Sequence, residues 1–160
     1  MKKLLLAASI AGMGLVGCGQ QQAAAPTEQA EVKVDTVEII RTAADRYLST
    51  APQNLRVLAP DWLMEKIKSG STDDIFVIDV RGPELYAEGH VPGATNIPFK
   101  TVAKTENLSK LPKTKQIVVV CKSGQTASMI NAILNMLGYN AVTLKGGMKG
   151  WTEAKGPIEK

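Results

Sequence analysis

Apolar and polar positions alternate between two periods along this chain, and the change of period separates its parts. Residues 35–49 carry Val37, Ile40, Ala44, Tyr47 and Leu48 at helical spacing, with Glu38, Arg41, Asp45 and Arg46 on the other faces. This predicts an amphipathic helix, packed on the rest as an extension. Asp35 is its N-cap, with Glu38 three positions on, and Pro52 closes the segment. From Arg56 onward, short β-rich runs take turns with helical stretches. Val57-Leu58, Ile75 to Ile78, Ala94 to Ile97, Ile117 to Val120 and Ala141 to Leu144 are predicted strands. The second and fourth are unbroken apolar runs, the pattern of strands buried on both faces. Between them lie predicted helices over 61–68, with Pro60 near the first position, over 83–88, ending at Gly89, over 102–109 and over 127–137. In the helix over 127–137, Ile130, Ile133, Leu134 and Leu137 share one face, broadened by Met129, Ala132 and Met136. A last short helix follows Gly146-Gly147 through Trp151. Five strands with interleaved helices predict an α/β fold, a parallel sheet with helices on both faces.

The first 34 residues follow neither period. Met1-Lys2-Lys3 is a cationic start and Leu4 to Val16 an apolar run too short to span a bilayer, so residues 1–17 read as a signal peptide. Leu15-Val16-Gly17-Cys18 resembles the lipobox of bacterial lipoproteins, which implies acylation of Cys18 and a membrane anchor. Residues 18–34 then form a Gln/Ala-rich tether. The expected location is extracytoplasmic, on the periplasmic side. Gly19 rather than Asp after the lipidated residue favours the outer membrane in a Gram-negative cell.

Composition narrows the chemistry. With 44% hydrophobic and 21% charged residues, the chain can bury a core. Aromatics are only 4%, and the four arginines form no stripe, so nucleic acid is not an expected partner. One His is too few for a His-based metal site, and no metal or cofactor is expected. Two cysteines remain, and the anchor takes Cys18. Cys121 therefore has no resolving partner within the chain, which excludes dithiol redox chemistry.

Cys121 stands where the fourth predicted strand ends, and Lys122-Ser123-Gly124-Gln125-Thr126 leads into a helix. Ligands of open α/β sheets bind at that edge. Successive backbone N–H groups and a helix N-terminus make an anion cradle, and the same donors favour the thiolate, which is the nucleophile. Gly124 permits the sharp turn. Between Asn107 and Thr152 there are six Lys and no carboxylate, so the half of the fold around Cys121 is expected to be electropositive.

Three ordered motifs resemble the rhodanese family. The first is Ile78-Asp79-Val80-Arg81 with Glu84, Tyr86, Gly89 to Ala94 and Asn96-Ile97-Pro98; the second is the loop from Cys121 to Ala127; the third is Gly146-Gly147 through Trp151. The resemblance covers about residues 56–160. It implies a three-layer α/β/α sandwich with a five-stranded parallel sheet in the order 3-2-4-5-1, preceded here by the helical extension 35–55. It also implies sulfurtransferase activity, in which Cys121 takes a sulfane sulfur from a small anionic donor such as thiosulfate, or from a persulfide. Cys121 then passes the sulfur to a thiol, a cyanide-like acceptor or a protein acceptor. By position, Lys122, Ser123, Gly124, Gln125 and Thr126 bind the substrate, with Thr126 closing a six-residue loop. Asp79 and Arg81 are a structural charge pair, and His90 is structural rather than a base. Neutral Ser123 follows Lys122 where thiosulfate-specialised members often carry a second cation, which weighs against thiosulfate as the donor.

Two other readings share this pattern. A Cys-dependent phosphatase or arsenate reductase on the same fold has a longer loop ending in an Arg that grips the oxyanion bidentately. Ala127 stands after Thr126 here, and no Arg follows Arg81. A non-catalytic sulfur-binding or interaction module would use the same cradle without turnover.

Overall fold

Strand β2 (Ile75–Asp79) and strand β4 (Gln116–Val120) form the centre of the molecule, paired in parallel from Ile75↔Gln116 to Asp79↔Val120. The computed structural model describes residues 35–53 and 55–160. The signal peptide, Cys18 and the tether over 18–34 lie outside the described residues. Strand β5 (Asn140–Leu144) continues the sheet beside β4, and β1 (Val57–Leu58) lies beyond β5. On the other flank β3 (Thr95–Asn96) pairs with β2. All these pairings are parallel, and the order β1-β5-β4-β2-β3 is the expected one.

Alternation along β4 builds two cores. Ile117 and Val119 point to one face, where they meet Ile130 and Leu134 of α5 (Gln125–Met136). Val118 and Val120 point to the other, against Leu63 of α2 (Pro60–Lys68) and Trp151 of α6 (Gly147–Glu153). All four β4 side chains are fully buried. At about 1.5–3 kcal/mol for each buried Val or Ile, an upper estimate, this strand is a large part of the hydrophobic driving force. The result is a three-layer α/β/α sandwich.

Several elements depart from the sequence pattern. Helix α5 begins two residues earlier than predicted, and its buried stripe is Ala127, Ile130, Asn131 and Leu134, while Met129, Ile133 and Leu137 are exposed. The polar Asn131 fits because its amide reaches Thr143 Oγ1 at 3.2 Å and its carbonyl side accepts from Asn135. The continuous helix over 102–109 is absent. Instead a 3₁₀ turn at Phe99–Thr101 follows Pro98, and α4 is only Thr105–Leu108. The buried anchors there, Val102 and Leu111, are nine positions apart, too sparse to hold a helical ridge on the sheet. Helix α3 (Pro83–Glu88) lies as predicted.

Helix α1 (Thr36–Ser49) forms with Asp35 as N-cap, whose Oδ1 accepts from the N–H groups of Val37 and Glu38. The capping box does not close, because Glu38 turns instead to Arg41. Helix α1 packs on the rest as an extension by one flank only, with Ala43, Ala44 and Tyr47 half-buried. It buries no residue, and Val37 and Leu48 are 75% and 70% exposed. Both faces of the sheet are already covered, so α1 leans on α5 by one flank.

Candidate functional site

β4 ends at Val120, and the chain leaves the sheet at Cys121. Gly124 turns it at φ +91°, a left-handed conformation that favours glycine, and α5 starts at the next residue. Gln125 and Thr126 are therefore the first helical residues rather than part of an open loop. The first intrahelical bond runs from Ser128 N–H to Gly124 C=O. Amides of the helix's first turn have no intrahelical acceptor. One of them, Ala127 N–H, donates to Cys121 Sγ at 3.3 Å, and Gly124 N–H donates at 3.1 Å.

Lys122, Ser123 and Gln125 are exposed, Thr126 is half-buried, and Cys121 and Gly124 are buried. The structure thus brings Cys121 and Gly124 together and leaves the side chains of Lys122, Ser123 and Gln125 facing solvent around them. Ala127, a contributor to the site through its amide, is not among the residues expected to bind substrate. Its signal was available, since a residue at the third helical position has an unsatisfied N–H wherever the helix starts after Gly124.

A second missed contributor is the start of α6. Met148 N–H donates to Cys121 C=O at 2.8 Å and Lys149 N–H to Lys122 C=O at 3.0 Å. Gly147 makes this approach possible. A Cβ there would lie 2.2 Å from Cys121 O and 2.8 Å from Gly124 N. Gly146-Gly147 is legible in the sequence as a motif, but its approach to the Cys121 loop is not.

Asp79 and Arg81 are the expected charge pair. Arg81 Nε lies 3.0 and 2.9 Å from the two carboxylate oxygens of Asp79, and Nη2 lies 2.6 Å from Oδ2. Asp79 is fully buried, and the remaining bonds satisfy the pair: Arg81 N–H donates to Asp79 Oδ1, and Arg81 Nη2 to Gly89 C=O. Asn96 Nδ2 ties the same turn by donating to the carbonyls of Asp79 and Arg81. Because Asp79 pairs with Val120, this braced turn stands beside the strand end that carries Cys121.

His90 is buried and stacked on Tyr86, with ring centroids 3.7 Å apart. Its Nδ1 faces Tyr86 C=O at 3.0 Å, so it must donate there. Backbone bonds in both directions join His90 to Glu159. These contacts fasten α3 to the C-terminal residues.

The six lysines do not gather round Cys121 as expected. Parallel strands send each connection across the sheet. Lys110, Lys113 and Lys115 therefore precede β4 at the amino edge, while Lys122, Lys145 and Lys149 follow β4 and β5 at the carboxyl edge. Among the described residues no cluster of His, Cys, Asp and Glu could hold a metal ion, and no helix is long and apolar enough to cross a membrane.

A five-stranded parallel α/β/α sandwich with a buried cysteine at the end of its central strand, held by the amides of the following helix, defines the class. The chain matches the rhodanese-like domain family over residues 59–154 and belongs to that family. It is similar to a sulfurtransferase of Allochromatium vinosum, 32% identical over 88 residues, which covers 54% of this chain and 80% of the relative. It is also similar to the thiosulfate sulfurtransferase PspE of Escherichia coli, 39% identical over 72 residues, 45% of this chain and 69% of the relative. Among solved structures, a Bacillus halodurans protein superimposes with a TM-score of 0.61 at 29% identity, over 74% of this chain and 85% of that one.

Proposed function

We propose that this protein is a sulfurtransferase that carries sulfane sulfur as a persulfide on Cys121. The observation that carries the reading is Sγ at the end of β4 accepting two backbone N–H groups, from Gly124 and Ala127. Such donors favour negative charge on sulfur, and a helix N-terminus adds to them. The Cys121 thiolate attacks the sulfane sulfur of a donor. With thiosulfate, a Cys–S bond to that sulfur forms, the donor's S–S bond breaks, and sulfite leaves with the electron pair. An acceptor thiolate or cyanide then attacks the outer sulfur, and the Cys121 thiolate departs with the bonding pair. The His90 ring, stacked on Tyr86 and bonded to its backbone, takes no part in either step.

The loop amides suit a thiolate in the resting state and hold the anionic donor during attack. Lys122 adds an exposed cation beside them. A Cys-dependent phosphatase or arsenate reductase would need an arginine fork on the oxyanion. Arg81, the nearest arginine in sequence, spends its guanidinium on Asp79 and Gly89. The sulfurtransferase relatives support transfer over the phosphatase reading and over a module that binds sulfur without turnover.

Intact mass of the full chain after incubation with thiosulfate, polysulfide or glutathione persulfide tests the proposal. A gain of one sulfur atom is expected, reversed by cyanide or a thiol and absent in Cys121→Ser. A Cys121→Ser variant that still transfers sulfur to cyanide would exclude this nucleophile. We further propose, from the lipobox pattern, that Cys18 anchors the protein to a membrane outside the cytoplasm. Cys18→Ser should either leave the precursor unprocessed or release the protein to the soluble fraction, and a processed variant with unchanged membrane fractionation would refute the anchor.

A further inference from the structure

The edge of the sheet opposite Cys121 holds a cavity of about 330 Å³. Arg46 and Tyr47 come to it from the end of α1, Arg56 from the turn before β1, Lys113 from the loop before β4, and Asn135 and Tyr139 from the end of α5 and beyond. Three of these residues are cations, and none of the lining residues is a carboxylate.

The arrangement is built rather than incidental. Arg46 Nη2 donates to Met136 C=O at 3.1 Å, and Lys113 Nζ to Leu137 C=O at 3.3 Å while lying 3.3 Å from the centre of the Tyr139 ring. These bonds set the two cations on the last turn of α5. The half-buried Arg56 follows Leu55, and both hold left-handed φ values of +58° and +50°. Side chains with a Cβ rarely adopt that conformation, and such strain concentrates at functional positions. Helix α1 supplies the third observation. It rests on α5 by one flank, and its last turns, with half-buried Tyr47, form one wall of this cavity.

Charge decides the class of ligand. The carboxyl end of α5 contributes about −0.5 of a charge, against the formal positive charges of Arg46 and Lys113. Arginine has five N–H donors and lysine three, so one carbonyl bond each leaves Arg46 and Lys113 with donors to spare. A compact tetrahedral oxyanion matches the guanidinium fork, and the volume lies at the small end of ligand sites.

We propose that this cavity binds a phosphate group, independently of the chemistry at Cys121. Isothermal titration of the full chain with inorganic phosphate tests it, using wild type, the double variant Arg46→Gln/Lys113→Gln, and Cys121→Ser. Saturable binding is expected with a Kd on the order of 1 mM or tighter. It should weaken at least about tenfold in the double variant, a loss of about 1.4 kcal/mol, persist in Cys121→Ser, and fall with added salt. Both substituted side chains are exposed, and unchanged sulfur transfer by the double variant would certify its fold. Absence of saturation, or equal binding by the double variant, would overturn the proposal, the latter by placing the anion elsewhere, as at the Cys121 loop. Monomeric short-chain phosphatidylglycerol then identifies the source. Displacement of phosphate by it assigns the site to a lipid headgroup, and failure to displace assigns it to free phosphate.

Discussion

Gly147 and Tyr86 show how single residues set limits on this site. The backbone of α6 approaches the Cys121 loop so closely that a methyl group at Gly147 would overlap Cys121 O, Gly124 N and Lys122 C. All three are backbone atoms, so no side-chain rotation relieves the overlap, and φ of +55° adds strain for any other residue. Gly147→Ala is expected to cost about 1–3 kcal/mol of stability or more, and to lower sulfur transfer by at least about tenfold. Urea denaturation and a cyanide-coupled assay check the two losses; wild-type values in both would mean the loop does not depend on this contact. Tyr86 bears on pH. Its hydroxyl donates to Ala94 C=O, and burial, followed by the charges of Glu159 and Asp79, raises its pKa above the usual phenol value. The folded protein therefore keeps this proton at a pH where the unfolded chain, at about 10, releases it. The associated stability is fully present below pH about 10 and is lost as pH rises through the folded value. The urea midpoint of wild type should fall more steeply above pH about 10 than that of Tyr86→Phe; parallel curves there would contradict the assignment.

Among the elements, α1 stands apart. Removing its cap with Asp35→Ala should cost about 1 kcal/mol of local helix stability. Because α1 buries no residue, the loss should remain local. Hydrogen exchange should speed up in residues 36–49, while the thermal midpoint of the sheet and sulfur transfer stay unchanged. A drop in the global midpoint would show that α1 is coupled to the core. Helix α5 illustrates the reverse case. Its amino end supplies the Ala127 amide to Cys121 and its carboxyl end receives Arg46 and Lys113, so one element joins the thiol loop to the opposite cavity.

For the whole molecule, the parallel sheet separates charge into two edges. Lys122 lies at the carboxyl edge with Cys121, and Lys113 at the amino edge. Lys122→Ala should lower kcat/KM for dianionic thiosulfate several-fold, with a smaller effect on a neutral persulfide donor, and added salt should narrow the difference. Lys113→Ala should leave both unchanged. Equal losses in the two variants would mean that net charge, rather than position, recruits the donor.

The apolar runs Ile75 to Ile78 and Ile117 to Val120 were enough to place the two central strands, because a strand buried on both faces must be apolar at every position. The alternation of strand and helix likewise determined the parallel α/β class, and the strand-end position of Cys121 before Gly124 marked the candidate site. Local patterns could not decide which helical face met the sheet: Ile133 and Leu137 share the apolar periodicity of α5, yet the sheet selected Ala127, Ile130, Asn131 and Leu134. Nor could they foresee that α1 would remain on the surface, since an amphipathic stripe states what a helix could bury and not whether a face is left to receive it. The roles of Ala127 N–H and Gly147, and the division of the lysines between two edges, arise from contacts between segments far apart in the chain. Only the assembled sheet, with α5 and α6 meeting at one loop, brings those segments within hydrogen-bond distance, and that is why the tertiary structure alone decided them.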